Sequence, residues 1–319
     1  MSLGEFELIE RYFHRIARKA TLGAGDDCAL LTPSKGMAIA TSTDMLVEGR
    51  HFLATVAPER LGHKALAVNL SDLAACGAQP LAYTLALALP RVDEVFLDRF
   101  SRGLHALAQA HDCELIGGDT TAGPLTICIT VYGEVPAEQA LLRSGARAGD
   151  DIYVSGTLGD ARLALEVFRG TLSLDAQAFE SVRLAMEQPQ PRVSLGLALR
   201  AVATSAIDIS DGLYGDLSHI LRRSGVGATI DVDALPCSAV LAARPLELRR
   251  EYALAGGDDY ELAFTADPAH RDAVIAAARS AGVAVTSIGR IEAQRGLRLV
   301  DGHGRALEMR ISPFDHFKS

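Results

Sequence analysis

The 319-residue chain contains no tryptophan, and aromatic residues make up only 5% of it. It has four lysines, Lys19, Lys35, Lys64 and Lys318, and no run of Lys and Arg. With a formal net charge of −9 it lacks the basic stripe that a nucleic-acid surface requires. No stretch offers about 18 uninterrupted apolar residues, so no membrane span is expected. The N-terminus has no basic stretch followed by a long apolar run, so it does not read as a signal peptide. Cys28, Cys76, Cys113, Cys128 and Cys237 are odd in number and form no C-x-x-C pair. They read as free thiols in a reducing, cytoplasmic setting. The histidines show neither H-x-H nor H-E-x-x-H spacing, which argues against zinc. Phosphate signatures are missing too: there is no G-x-x-x-x-G-K-[ST], Gly23-x-Gly25 lacks the third glycine of a dinucleotide fingerprint, and protein-kinase motifs are absent.

What is present is a chain that is 49% hydrophobic, enough for a large core and for two domains. Phe6, Ile9, Phe13 and Ile16 recur at helical spacing and predict an amphipathic N-terminal helix. Strands are expected at Cys28–Leu31 and Met37–Thr43. A helix follows over 58–77, opened by Pro58 and closed by Gly77. Then come strand 81–89, helix 93–111, and strands 113–117 and 125–135. The polar segment Gly145–Asp151 marks the expected boundary between domains 1–146 and 147–319. The second half reads as strand 152–155, helices near 159–169, 176–187 and 191–204, strand 205–208 and helix 211–224. Strands near 228–232, 260–265, 284–290 and 297–300 and a helix over 268–281 complete it. Such alternation predicts an α/β or α+β protein.

The aspartates carry the chemistry through their placement. Asp26 and Asp27 precede an apolar run. Asp44 closes the strand ending Thr41-Ser42-Thr43-Asp44, and Asp72 lies on an otherwise apolar helix. Asp119 closes a strand in Gly117-Gly118-Asp119-Thr120-Thr121. Asp208 and Asp211 flank Ile209-Ser210, and Asp258 and Asp259 follow Gly256-Gly257. Taken singly, each is more often a cap or turn residue; Asp211 before Gly212 would cap the following helix, and Asp26 its own turn. Jointly they are harder to explain, because carboxylates are seldom buried unpaired. Two of them 4 Å apart repel by about 4 kcal/mol at an effective dielectric of about 20. Oxygen donors from Asp, Ser and Thr select Mg²⁺, Ca²⁺ or Mn²⁺. Adjacent glycines let the backbone approach a polyphosphate. Arg143 is a candidate phosphate fork, or else an ordinary surface arginine.

Six motifs in order are Gly25-Asp26-Asp27-Cys28-Ala29, Ser42-Thr43-Asp44, Asn69-Leu70-Ser71-Asp72-Leu73-Ala74-Ala75-Cys76-Gly77-Ala78, Gly117-Gly118-Asp119-Thr120-Thr121, Asp208-Ile209-Ser210-Asp211-Gly212-Leu213 and Gly257-Asp258-Asp259-Tyr260-Glu261-Leu262. Together they resemble the bacterial thiamine-monophosphate kinase family, from Gly4 to Phe317. The resemblance implies a two-domain fold like that of aminoimidazole ribonucleotide synthetase. Residues 1–146 would bind metal and ATP and pair in a homodimer; residues 147–319 would complete the substrate site, with ATP in a cleft between domains. It further implies Asp27, Ser42, Thr43, Asp44, Asp72, Asp119, Asp208 and Asp211 as ligands of several Mg²⁺ ions, with Asp44, Asp72, Asp119 and Asp211 central to catalysis. Gly118, Asp119, Arg143 and Ser210 would contact ATP. His51, Asp258 and Phe314 would hold thiamine monophosphate. Alternatively, His51 is a loop histidine and Phe314 C-terminal packing. The family often has Glu where this chain has Asp258, one methylene shorter. Its adenine contact would fall near Arg102, where an aromatic would be expected, and is not carried over.

The implied reaction is ATP-dependent phosphorylation of thiamine monophosphate to thiamine diphosphate, the final step of that cofactor's synthesis, by direct in-line transfer. A phosphate monoester acceptor is already anionic near pH 7 and needs no general base, which suits a sequence without an obvious His–Asp pair. The rival readings are an ATP-dependent synthetase of the same superfamily, a metal-dependent phosphohydrolase, and a non-catalytic nucleotide-binding subunit.

Overall fold

The computed structural model describes residues 4–309. It divides into two compact units, Met1–Leu73 with Ala78–Glu138, and Ala74–Gly77 with Gln139–Ser319.

In the first unit, α1 (Glu5–Leu8) runs on as a π-type turn over Ile9–Phe13. It buries Leu8, Tyr12 and Phe13. The helix stops before Ile16, and Phe6 and Ile16 are 82% and 86% exposed. The expected Phe6–Ile9–Phe13–Ile16 stripe is therefore displaced onto Leu8, Tyr12 and Phe13. The segment that follows is tied by Glu114, which accepts from the backbone N–H groups of Arg18 and Lys19. Cys28–Leu31 forms no strand. Leu30 makes one isolated antiparallel bridge to Leu22, while Ala29 and Leu31 pack on Leu81, Ala82 and Ile116. Side-chain packing, rather than sheet pairing, accounts for its apolar run.

The sheet is built from β1 (Met37–Val47), β2 (Gln79–Leu89), β3 (Glu114–Ala122) and β4 (Thr126–Pro136) in the order β1-β4-β2-β3. Only β2 and β3 run parallel. Helix α2 (Pro58–Ala75), as far as Leu73, and helix α3 (Glu94–Ala110) belong to the same unit. On β4, Ile127, Ile129, Val131 and Val135 are buried while Cys128, Thr130 and Tyr132 are half-exposed. That period of two is the signature of a sheet covered on one face. Helix α2 lies on the buried face, since a Cβ at Gly133 would meet the Leu73 side chain at 3.1 Å. Gly77, at φ +64, closes the helix segment as expected.

The second unit has a six-stranded sheet of order β10-β7-β9-β5-β8-β6. Its strands are β5 (Asp151–Ser155), β6 (Ser205–Asp208), β7 (Gly227–Asp231), β8 (Leu262–Ala266), β9 (Val285–Glu292) and β10 (Gly296–Val300). The pairings are antiparallel apart from β10 with β7. Strands β5, β6 and β8 are buried along their whole length. The helices are α4 (Asp160–Phe168), α5 (Ala176–Glu187), α6 (Val193–Ala198), α7 (Leu213–Ser224), α8 (Ala239–Ala242), α9 (Leu246–Ala255) and α10 (Arg271–Ala281). The core centres on Ile152, Val154, Ile207, Leu217, Ile230 and Ile288. Helix α6 is shorter than the expected 191–204 because Ala201 adopts φ +61. Helix α9 was not expected from the sequence; its mixed Leu-Glu-Leu-Arg-Arg-Glu run shows no clear apolar stripe, and it buries Tyr252, Ala253 and Leu254. Among the described residues no helix is long and apolar enough to cross a membrane.

Candidate active site

Two of the acidic residues expected at strand ends lie inside strands. β1 pairs with β4 along its full length, so Asp44 sits opposite Ile129. β3 continues past Asp119 to Ala122, with Asp119 opposite Ala86. Gly118 makes that continuation possible: at φ +151, a Cβ there would lie 1.8 Å from the Leu85 carbonyl oxygen.

The first unit gathers three of the candidates through β1 and α2. Ser42 Oγ donates to Asp72 Oδ2 at 2.5 Å. Asp44 N–H donates to Asn69 Oδ1 at 3.1 Å, and Asn69 Nδ2 donates to the Ala65 carbonyl at 3.0 Å. Asn69 is 1% exposed; it ties β1 at Asp44 to the helix that carries Asp72. Its polar side chain in an apolar stretch, Ala67-Val68-Asn69-Leu70, was the available signal. Strand alternation sends Thr43 to the other face, where its Oγ1 shares a hydrogen bond of 2.8 Å with Thr130 Oγ1. The pairing register puts Asp119 on that second face, beside Ala86 and Cys128. The sheet therefore separates Thr43 and Asp119 from Ser42, Asp44 and Asp72.

Asp26 and Asp27 are exposed in the turn before residue 28. Asp26 Oδ1 accepts from the Asp27 N–H at 2.9 Å, a turn-forming role that accounts for Asp26 and leaves Asp27 as the candidate ligand. His51 lies in the loop after β1, and its Nδ1 accepts from the Val47 N–H at 3.0 Å. An accepting Nδ1 puts the neutral ring's proton on Nε2. Lys64, 2% exposed, donates from Nζ to the His51 carbonyl at 3.3 Å.

In the second unit Asp208 ends β6 and is 5% exposed. The turn after it is held by Asp216, whose Oδ2 accepts from the backbone N–H of both Ser210 and Asp211 at 3.1 Å. Burial pushes the Asp216 carboxyl up to about 7. Helix α7 takes Gly212 as its N-cap with no side-chain capping bond. Asp211 therefore does not cap the helix, and its side chain is exposed. Arg143 is exposed on the segment that joins β6 through the Ala206 N–H to Leu142 carbonyl bond. Its positive charge opposes the burial-driven rise of Asp216, and it adds to burial in lowering His219.

The turn carrying Asp258 is bonded to the same loop, with Asp258 N–H donating to the Ser210 carbonyl at 2.9 Å and Tyr260 N–H to the Ile209 carbonyl at 2.8 Å. Asp259, next in sequence, does different work. Both its carboxylate oxygens accept from the Gly159 N–H at the start of α4, and burial raises it well above the ordinary carboxylate range. The second unit thus brings together Arg143, Asp208, Ser210, Asp211 and Asp258. Among the described residues, no three His, Cys, Asp or Glu side chains already stand in a metal-holding cluster. Phe314 lies outside the described residues.

The chain matches the AIR synthase related protein family, its N-terminal domain over residues 25–135 and its C-terminal domain over 147–302. It is 46% identical over 324 aligned residues to the thiamine-monophosphate kinase of Salmonella typhimurium, covering 99% of each chain. It is similar to the solved thiamine-monophosphate kinase of Stenotrophomonas maltophilia, with a TM-score of 0.86 and 46% identity, covering 96% of this chain and 99% of that one. It is similar also to AaThiL complexed with AMPPCP and TMP, with a TM-score of 0.78 and 31% identity over 90% and 89% of the two chains. With kinases of one name matched end to end and the fold shared at this level, the chain belongs to the thiamine-monophosphate kinase family of AIR synthase related proteins.

Proposed function

We propose that this chain transfers the γ-phosphoryl group of ATP to thiamine monophosphate, giving thiamine diphosphate and ADP. The observation that carries the reading is membership of the kinase family along the whole chain, with Ser42, Asp44 and Asp72 held together by β1 and α2. The pair bound in AaThiL, an ATP analogue and TMP, is the pair this reaction needs.

The donor set fits magnesium: Ser42, Thr43, Asp27, Asp44, Asp72, Asp119, Asp208 and Asp211 offer only hard oxygens. Bound Mg²⁺ would neutralise the phosphates of donor and acceptor. The protein's own contribution is positional. Asn69 ties Asp44 to α2, and Asp216 fixes the Ser210–Asp211 backbone. Arg143, Gly118, Asp119 and Ser210 are the ATP contacts in this reading; His51, Asp258 and Phe314 hold the acceptor. The acceptor's phosphate, with a second pKa near 6, enters as an anion, so direct in-line attack on the γ-phosphorus requires no proton abstraction from it. We further propose that residues 1–146 hold the metal-binding and dimerisation functions and residues 147–319 complete acceptor recognition. A homodimer is supported by the face of the first unit's sheet that no helix covers among the described residues, where Ile39 and Met45 are exposed.

The test resolves products after incubation with ATP, Mg²⁺ and thiamine monophosphate. Thiamine diphosphate and ADP are expected in equal amounts. Asp44→Ala and Asp72→Ala should each reduce the rate by about 100-fold or more, the upper range for removing even an outer-shell partner of a metal. Orthophosphate release without thiamine diphosphate would move the function to a hydrolase or synthetase.

A further inference from the structure

Of the four non-glycine residues with left-handed backbone among those described, two stand in one turn: Asp258 at φ +66 and Tyr260 at φ +49. For a tyrosine this conformation costs roughly 1–2 kcal/mol and persists only where its surroundings enforce it. Here two backbone hydrogen bonds to Ser210 and Ile209 hold the turn. Gly257 leaves it no slack, because a Cβ there would lie 2.6 Å from the Ser210 carbonyl oxygen. The consequence is that Tyr260 Oη reaches back and donates to Asp258 Oδ1 at 3.1 Å.

Behind the turn, Glu261 is 5% exposed and fully engaged. Arg192 Nε donates to its Oε2 at 2.7 Å, and Arg192 Nη2 donates to its Oε1. Ser155 Oγ donates to Oε2 at 2.5 Å while accepting from the Leu262 N–H at 2.9 Å. Gly156 borders this socket so closely that a Cβ would sit 1.9 Å from Glu261 Oε1. A bidentate guanidinium–carboxylate pair fixes direction as well as distance, and this one is anchored one residue from Tyr260.

We propose that Tyr260 and the buried Glu261–Arg192 pair are positioning residues that fix the Asp258 carboxylate for the thiamine monophosphate acceptor. The inference rests on the reading of Asp258 as an acceptor contact. Such a support suits a short aspartate in particular. A carboxylate with few rotatable bonds selects its ligand only if its backbone and one oxygen are already fixed.

The test measures thiamine monophosphate and Mg·ATP affinities separately by calorimetry, with kinetics and melting temperature, for the unaltered chain and for Tyr260→Phe, Arg192→Lys and Arg192→Met. Tyr260→Phe, which keeps the ring, should weaken thiamine monophosphate about tenfold, the effect of one hydrogen bond to a charged group. Mg·ATP affinity should stay within about twofold. Arg192→Met should weaken the acceptor further, and Arg192→Lys should restore part of the loss. Variants with a lower melting temperature but unchanged acceptor affinity would overturn the inference and leave the kinase reading standing. An unaltered chain that binds thiamine monophosphate without phosphorylating it would overturn the kinase reading, while the affinity ratios still decide the positioning role. An unaltered chain that binds no thiamine monophosphate would overturn both.

Discussion

Asp301 shows what a carboxylate does when the fold, and not a ligand, employs it. Its Oδ1 accepts from the backbone N–H of His303 and Arg305 at 3.0 and 2.9 Å, and Oδ2 accepts from Arg305 Nε at 2.8 Å. These bonds favour the ionised form and hold the group down to about 2, below its ordinary 3.8. A depressed carboxylate stabilises the fold above its unfolded value, and that contribution is lost as pH falls through the folded one. Asp301→Asn should therefore lower the melting temperature at pH 7. The gap from the unaltered chain should narrow as pH falls from about 4 to about 2; a gap constant down to pH 2 would contradict the assignment. The same distinction sorts the residues of the candidate site. From sequence alone Asp26, Asp211 and Asp259 look alike, each next to a glycine or two residues from one and each able to cap. Asp26 serves its turn and Asp259 accepts from the N–H that opens α4, while Asp211 is not the N-cap of α7. Asn69, Asp216 and Tyr260 escaped sequence reading because their roles depend on which backbone N–H, carbonyl or carboxylate faces them. The partner of Asn69 lies on β1 and those of Asp216 in the turn before its helix, while Tyr260 meets Asp258 in its own turn only because bonds to Ser210 and Ile209 hold that turn left-handed.

At the scale of elements, periodicity and breakers located most of the fold, and the two misplaced strand ends in the first unit share one cause. The strand at Met37 was expected to end at Asp44, yet its pairing with β4 continues to Val47. β3 was expected over 113–117 with Asp119 closing it, yet Gly118 lets it continue beside Leu85. In both cases sheet pairing overrides the local propensity of Asp and Gly. Glycine acts differently where α2 crosses α3. A Cβ at Gly62 would stand 2.0 Å from the Phe100 carbonyl oxygen, and one at Gly103 would stand 1.9 Å from that of Glu59. Replacing a helical glycine by alanine gains about 1 kcal/mol in propensity. Overpacking against backbone costs about 1–3 kcal/mol or more, and here neither clashing atom is the end of a flexible side chain. Sterics should win: Gly62→Ala is expected to destabilise the protein by about 2 kcal/mol, read as a lower urea midpoint. An unchanged or raised midpoint would show that the helices can separate at little cost.

At the scale of the whole molecule, the first unit's sheet has one face without a helix among the described residues. Strand alternation and register place Ile39, Thr41, Thr43 and Met45 of β1 on that face, with Cys128, Thr130 and Glu134 of β4, Ala86 and Ala88 of β2 and Asp119 of β3. Ile39 is 39% exposed and Met45 is 55% exposed. Four strands of about 11 residues span roughly 15 Å by 35 Å, and Ala29 and Leu31 cover only the end of this face at Ala82 and Tyr132. Apart from Asp119 and Glu134 these residues are small, β-branched or apolar, which suits a flat, self-complementary contact, and two-fold pairing places the same patch on both copies. A net charge of −9 opposes association only weakly here, because repulsion between distant charges is screened beyond about 8 Å at physiological salt. The chain is accordingly expected to sediment as a dimer. Met45→Glu and Ile39→Glu each set a carboxylate against its symmetry mate or against apolar surface and should shift the protein toward monomer, with the helix content seen by circular dichroism unchanged. A sedimentation coefficient that stays dimeric in both variants would place the dimer contact elsewhere on the chain, and a monomeric unaltered chain would remove this face from the account of the protein.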